Sequence, residues 1–264
     1  MFPLKLLIDA GVIAADYIHR QSKYIGCNDT ELVKDAAAIA AHVYGNRSDI
    51  KLRNSWKVCR KNFGVVLEDR DGTGLVSKVY QRTWNGQKQY IYATAGTDPD
   101  NINDWIANFS QLAGFSEQYQ HAVENARIIS SMVGCAPLYF VGHSLGGGEA
   151  ALNAMATGRS AITFNAAGVS NYSRTANGIS LTERDFMIDA YIVATDWLNM
   201  IQTVGNVAVP ILGGGITRLA VQRLVGISSM LTTADGKIHY LTPKGDDSML
   251  SGHSMETVLA SLGL

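Results

Sequence analysis

The chain has 264 residues, of which 47% are hydrophobic and 17% charged, so it can bury a large core and is too apolar to stay disordered over long stretches. A formal net charge of −1, without any dense basic cluster, excludes the electrostatic footprint of a nucleic-acid-binding protein. The three cysteines, Cys27, Cys59 and Cys135, are odd in number and widely spaced, which indicates neither a disulfide framework nor a zinc site; they are expected to be reduced and buried.

The first nine residues, Met1 to Asp9, carry one lysine and an apolar stretch cut short by Asp9. That is too short for a signal-peptide core, and no run of 18 apolar residues follows. Neither a Sec signal nor a membrane span is therefore expected, which leaves a cytoplasmic location or export by a specialised route. Leu4, Leu7, Ile8, Val12, Ala15 and Ile18 recur at helical spacing and predict a helix over 4–21. Asn28-Asp29-Thr30-Glu31 resembles a capping box, predicting a second helix from Glu31 to Tyr44.

From Phe63 the pattern changes to short β-rich runs, 63–67, 75–80 and 89–93, with Asp71-Gly72 and Asn85-Gly86 as hairpin signals. A helical segment is expected over 104–112 and a longer helix over 115–133, closed by Gly134. Strands at 137–141, 161–165, 189–194 and 237–241 then alternate with helices at 145–157 and 254–262. This order predicts an α/β fold with antiparallel early strands, parallel central strands and flanking helices, as one domain over 1–264. Residues 168–185 are polar and read as a surface excursion. Residues 204–231 are long, apolar and broken by Gly213-Gly214-Gly215; they read either as a core-covering helix pair or as a lid or cap excursion.

The chemistry centres on Gly142-His143-Ser144-Leu145-Gly146, a G-x-S-x-G pattern between an apolar strand and an alanine-rich helix. A serine at such a strained turn needs neighbours two residues away that are nearly without side chain, which Gly142 and Gly146 supply. Serine is a poor nucleophile at neutral pH, so a histidine base and an orienting carboxylate must follow. Of the six histidines, His239 and His253 lie well downstream. His239 falls inside an alternating strand, whereas His253 occupies a loop before the last helix and is the better base. Asp196 directly follows the strand ending at Ala194, where catalytic groups of open α/β sheets gather. Asp189 begins that strand, and Asp185, Asp246 and Asp247 are loop carboxylates with solvated alternatives. Leu145 would give one backbone N–H to an oxyanion, and Thr97, in Gly96-Thr97 after an earlier strand, the other.

Taken together these blocks resemble the class 3 lipases of the α/β-hydrolase superfamily. Gly96-Thr97-Asp98 with Asp104-Trp105 is similar to that family's oxyanion loop, Gly142 to Gly147 to its elbow, and Thr163 to Gly168 to the strand after it. The resemblance covers residues 31–167; beyond them only Asp196 and His253 align by order. Without the signal peptide, disulfides and short lid of secreted fungal members, the chain is closer in character to bacterial lipase and phospholipase A1-like members. What the resemblance implies is an α/β-hydrolase-type fold and an acyl-lipid substrate, with peripheral membrane contact. For a member delivered as a bacterial effector it also implies a cognate inhibitor protein. No metal or organic cofactor is expected, since a Ser144–His253–Asp196 triad needs neither. The competing readings are a soluble esterase or thioesterase for small acyl groups and a non-catalytic binding module that retains the elbow.

Overall fold

A strand with apolar residues on both sides requires cover on both faces. The computed structural model describes residues 29–45, 49–96, 112–180, 187–204, 233–244 and 249–264. Its strands are β1 (Lys57–Val58), β2 (Glu68–Asp69), β3 (Leu75–Trp84), β4 (Gln87–Thr94), β5 (Leu138–His143), β6 (Ser160–Phe164), β7 (Ile188–Val193) and β8 (Lys237–Leu241). They form one sheet in the order β1-β3-β4-β5-β6-β7-β8, with β2 paired to β3. Pairing is antiparallel among β1 to β4 and parallel from β4 to β8. Every residue of β5 and β6 is buried.

The helices are α1 (Thr30–His42), α2 (Leu112–Val133), α3 (Leu145–Thr157), α4 (Asn171–Ala176), α5 (Trp197–Val204), α6 (Met249–Gly252) and α7 (Met255–Ser261). Strand alternation divides the core between them. Tyr90, Tyr92, Leu138 and Phe140 point to one face and cluster with Val123, Ala126 and Ile129 of α2 and Leu152 of α3. Ile91, Ala93, Tyr139 and Val141 point to the other and cluster with Leu32, Ala36 and Ile39 of α1 and Val258 of α7. The result is the mixed sheet with flanking helices anticipated from the order of elements, and it is consistent with the α/β-hydrolase-type fold that the resemblance implied. Away from the carboxyl ends of the strands, the buried Asp35 of α1 accepts hydrogen bonds from Arg82 of β3 at 2.8 Å, Trp56 at 3.0 Å and Asn54 at 2.8 Å. Arg82 in turn lies between the rings of Trp56 and Trp84, 4.7 Å from each centroid.

Several local readings change. The run 63–67 does not form a strand; Glu68–Asp69 pairs with β3 instead, and Leu67 receives Ser77 through its carbonyl. Residues 168–180 are less of an excursion than their polarity suggests. They contain α4, capped by the Ser170 hydroxyl on Ser173 N–H at 3.1 Å. Its Arg174 is buried and paired with Asp235, which also accepts the Val169 N–H at 2.7 Å. Cys135 is exposed in the turn after α2 and Cys59 is half-buried. Cys27, the helix expected over 4–21, the segment 104–111, and the apolar stretch 205–231 lie outside the described residues.

Within α3, Glu149 is fully buried and both of its carboxyl oxygens are without a hydrogen-bond partner among the described residues. Burial pushes its pKa well above the ordinary 4.5, with nearby Gln118 and Thr94 opposing only in part. The folded chain thus keeps a proton that the unfolded chain releases above pH 4.5, so the titration of this group costs nothing below that pH and opposes folding increasingly as pH rises. Glu149→Gln should therefore gain thermal stability relative to wild type progressively as pH is raised above 4.5. A melting-temperature difference that is constant with pH would contradict this.

Candidate active site

β5 delivers the chain to Ser144, whose backbone adopts φ 58° and ψ −127°. That conformation costs a non-glycine residue on the order of 1–3 kcal/mol and persists only where its surroundings enforce it. Here the enforcement is visible. Ser144 N–H donates to the Phe164 carbonyl at 3.1 Å, and its own carbonyl accepts from Gly147 and Ala167, each at 3.0 Å. The turn also leaves no space for side chains beside it. A Cβ on Gly142 would fall 2.0 Å from the Gly146 oxygen, and one on Gly146 would fall 2.3 Å from the Thr94 oxygen. The need for glycine at both positions thus has a concrete origin: the start of α3 leaves no room at Gly142, and β4 leaves none at Gly146.

Asp196 follows β7 through a tight turn in which its N–H donates to Val193 O at 2.8 Å. Its carboxylate is buried and sits at the mouth of α5, accepting the N–H groups of Leu198 at 3.2 Å and Asn199 at 3.1 Å. Two helix donors therefore fix its plane. His253 lies between α6 and α7. Its Nδ1 is 2.6 Å from Asp196 Oδ1 and its Nε2 is 2.9 Å from Ser144 Oγ. A carboxylate can only accept, so Nδ1 carries the proton and Nε2 presents a lone pair to the serine hydroxyl. The His253 ring packs between Trp197, at a centroid distance of 5.3 Å, and His143, at 5.0 Å.

The alternative histidine goes elsewhere. His239, in the middle of β8, stacks on Tyr191 and places Nε2 2.7 Å from Asp189 Oδ1, near the amino end of β7. Those two residues form a pair of their own and do not reach Ser144. Of the two residues expected at an oxyanion, Leu145 is the first residue of α3, so its N–H belongs to the set of helix N-terminal donors. Gly96 runs against the elbow so closely that a Cβ there would be 3.1 Å from Ser144 Cβ and 2.7 Å from the His143 oxygen. Thr97, the next residue, lies outside the described residues.

The sequence reading missed four residues of this neighbourhood. Trp197 walls the His253 ring, and Asn165, at φ 42°, donates from Nδ2 to the Gly252 carbonyl at 3.0 Å. Tyr44 and His143 hydrogen-bond to each other at 2.8 Å. Burial first, and the neighbouring His253 second, push the His143 pKa down to about 3, so its imidazole is neutral. The signal for His143 was within the elbow motif itself, and that for Asn165 within the block after it.

A strained serine at a strand-to-helix turn, within reach of a histidine held between α6 and α7 and an aspartate that follows β7, is an arrangement suited to hydrolysis on an α/β-hydrolase-type sheet. Comparison of the sequence narrows this: the chain belongs to the phospholipase-like family, matching the Tle-like phospholipase domain over residues 35–259. It is also 34% identical over 197 residues to an extracellular phospholipase A1 of Serratia liquefaciens, an alignment covering 72% of this chain and 56% of that protein. The chain thus spans little more than half the length of that relative. The family found is phospholipase-like by description, and the narrower class 3 label is not what the comparison returns. Among the described residues no helix is long and apolar enough to cross a membrane.

Proposed function

We propose that this chain is a serine carboxylester hydrolase that cleaves an acyl ester of phospholipids, with A1-type positional preference. The observation that carries the reading is the position of His253, within hydrogen-bond distance of both Ser144 Oγ and Asp196. In this scheme His253 Nε2 takes the Ser144 hydroxyl proton as Oγ attacks the ester carbonyl carbon, and Asp196 stabilises the imidazolium that results. The tetrahedral oxyanion is received by the Leu145 N–H and by Thr97. Collapse expels the lysophospholipid alkoxide, which takes the proton from His253, and leaves an acyl-Ser144 ester. Water then attacks that ester, giving its proton to His253, and releases the fatty acid with Ser144 restored. The phospholipid substrate is supported by the family description and by the name of the Serratia protein.

The test is a side-by-side assay of purified protein on phosphatidylcholine carrying different acyl chains at its two glycerol positions, and on triacylglycerol. The expected result is release of the chain from the first glycerol position, faster than any release from triacylglycerol. Preferential release from triacylglycerol would reassign the substrate to neutral lipid, and release of the second-position chain would reject the A1 preference. Hydrolysis confined to short soluble esters would favour the esterase reading.

A further inference from the structure

Three hydrogen bonds join the two loops that flank Ser144. Gly96 N–H lies 3.2 Å from Tyr44 Oη, Tyr44 Oη lies 2.8 Å from His143 Nδ1, and His143 Nε2 lies 2.7 Å from the backbone carbonyl oxygen of His253. The direction of every proton in this chain follows from one fact: a carbonyl oxygen can only accept. His143 Nε2 must therefore carry the hydrogen. Because that imidazole is neutral, Nδ1 is left as an acceptor and the Tyr44 hydroxyl must donate to it. The Tyr44 oxygen then has its lone pairs available to accept from Gly96. The three bonds run in one sense, and the tautomer of His143 is fixed from both sides.

The ends of this chain are informative. One end is the backbone immediately before Thr97, at the loop beside Ser144; the other is the peptide that carries His253. The preceding carbonyl, that of Gly252, is held separately by Asn165, whose Oδ1 accepts the Val193 N–H at 2.9 Å. Two successive carbonyls of the His253 loop are thus gripped by side chains from the carboxyl ends of β5 and β6. Only the His143 grip continues onward to the Gly96 loop.

We propose that Tyr44 and His143 are positioning residues that lock the oxyanion loop and the base-bearing loop in register about Ser144. Tyr44, just beyond the end of α1, is the joint between them. Without its hydroxyl the Gly96 N–H loses its acceptor and His143 Nδ1 loses its donor, so the His143 ring is held from the His253 side alone and no longer ties that loop to Gly96. The loss falls on the alignment of base and oxyanion donors, and so on the chemical step more than on substrate binding. The proposal rests on the hydrolase reading above, and its test separates the two.

Active-site titration of wild type with a fluorophosphonate comes first: absence of labelling at Ser144 would defeat the hydrolase reading itself. With labelling established, Tyr44→Phe should lower kcat per titrated site on a soluble ester by on the order of 10-fold, with KM little changed. His143→Gln, whose amide can still donate to the His253 carbonyl, should retain more activity than His143→Leu. Adding Tyr44→Phe to His143→Leu should cost little further, because the relay is already broken. A Tyr44→Phe enzyme with wild-type kcat per titrated site would overturn the proposal, as would fully additive losses in the double variant. A variant that merely folds less well would lose titratable sites in proportion to its activity, and that outcome also counts against a positioning role.

Discussion

Replacing Ser144 by alanine is expected to abolish ester hydrolysis, lowering turnover by on the order of 10⁶, while the melting temperature stays close to that of wild type. The magnitude follows from removal of a nucleophile that acts as a unit with its base: with Oγ gone, His253 Nε2 has nothing to deprotonate. Stability is spared because the strained backbone at φ 58° is set by the carbonyl of Phe164, by Gly147 and by Ala167, none of which touches Oγ through those bonds. Alanine inherits the same strain as serine. Glycine does not, so Ser144→Gly should be equally inactive yet more stable, by about 1 kcal/mol. A fluorophosphonate should label the wild-type serine and neither variant. Retention of most activity by the alanine variant would remove the serine-hydrolase reading altogether.

Much of this arrangement could be read before any coordinates because its determinants are local. Gly142 and Gly146 are demanded by contacts within a few residues of Ser144 and with the adjacent β4, and a strand–Gly-x-Ser-x-Gly–helix order carries that demand in sequence. Asn85-Gly86 likewise encodes its own turn, with both residues at positive φ, and β3 and β4 pair on either side of it from Trp84 and Gln87. The parallel centre and antiparallel start of the sheet were legible from the alternation of elements, and the burial of β5 and β6 throughout accords with their place inside the sheet.

What sequence reasoning did not find depends on partners far along the chain. Polarity in residues 168–180 suggested solvent, but Arg174 finds Asp235 some sixty residues later, and a paired charge can be buried where a lone one cannot. The run 63–67 has the composition of a strand, yet β3 takes the short segments 57–58 and 68–69 as its edge partners instead; strand propensity describes a surface to be packed on, and the surface was already occupied. His143 was visible as a letter of the elbow motif and invisible as a contact, because Tyr44 and the His253 carbonyl lie 99 and 110 positions away. His239 shows the converse hazard. Pairing with Asp189 at 2.7 Å gives it the distance expected of a catalytic His–Asp dyad, but its partner lies near the amino end of β7, away from the pair that reaches Ser144.

That separation leads to the second large effect: Asp196→Asn is expected to lower turnover by about 10⁴, the scale found for the equivalent change in serine proteases. Both carboxylate oxygens of Asp196 are committed, Oδ1 to His253 and Leu198 N–H and Oδ2 to Asn199 N–H. An asparagine amide has one acceptor where there were two. If its NH₂ faces His253, the imidazole must accept at Nδ1 and carry its proton on Nε2, so that the base points a hydrogen at Ser144 Oγ and cannot take one. If its NH₂ faces Asn199 instead, two donors oppose each other at the start of α5, and the helix end that fixes the carboxylate plane is disturbed. His253→Ala removes the base itself and should fall to the level of Ser144→Ala. His239→Ala leaves this machinery untouched, so it should keep near wild-type kcat while losing on the order of 1–3 kcal/mol of stability, because Asp189 is then buried without its partner. Measuring kcat and thermal stability for all three variants decides between the two histidines: a His239→Ala enzyme that is folded but inactive, beside an active His253→Ala, would transfer the base to β8 and dismantle the site described here.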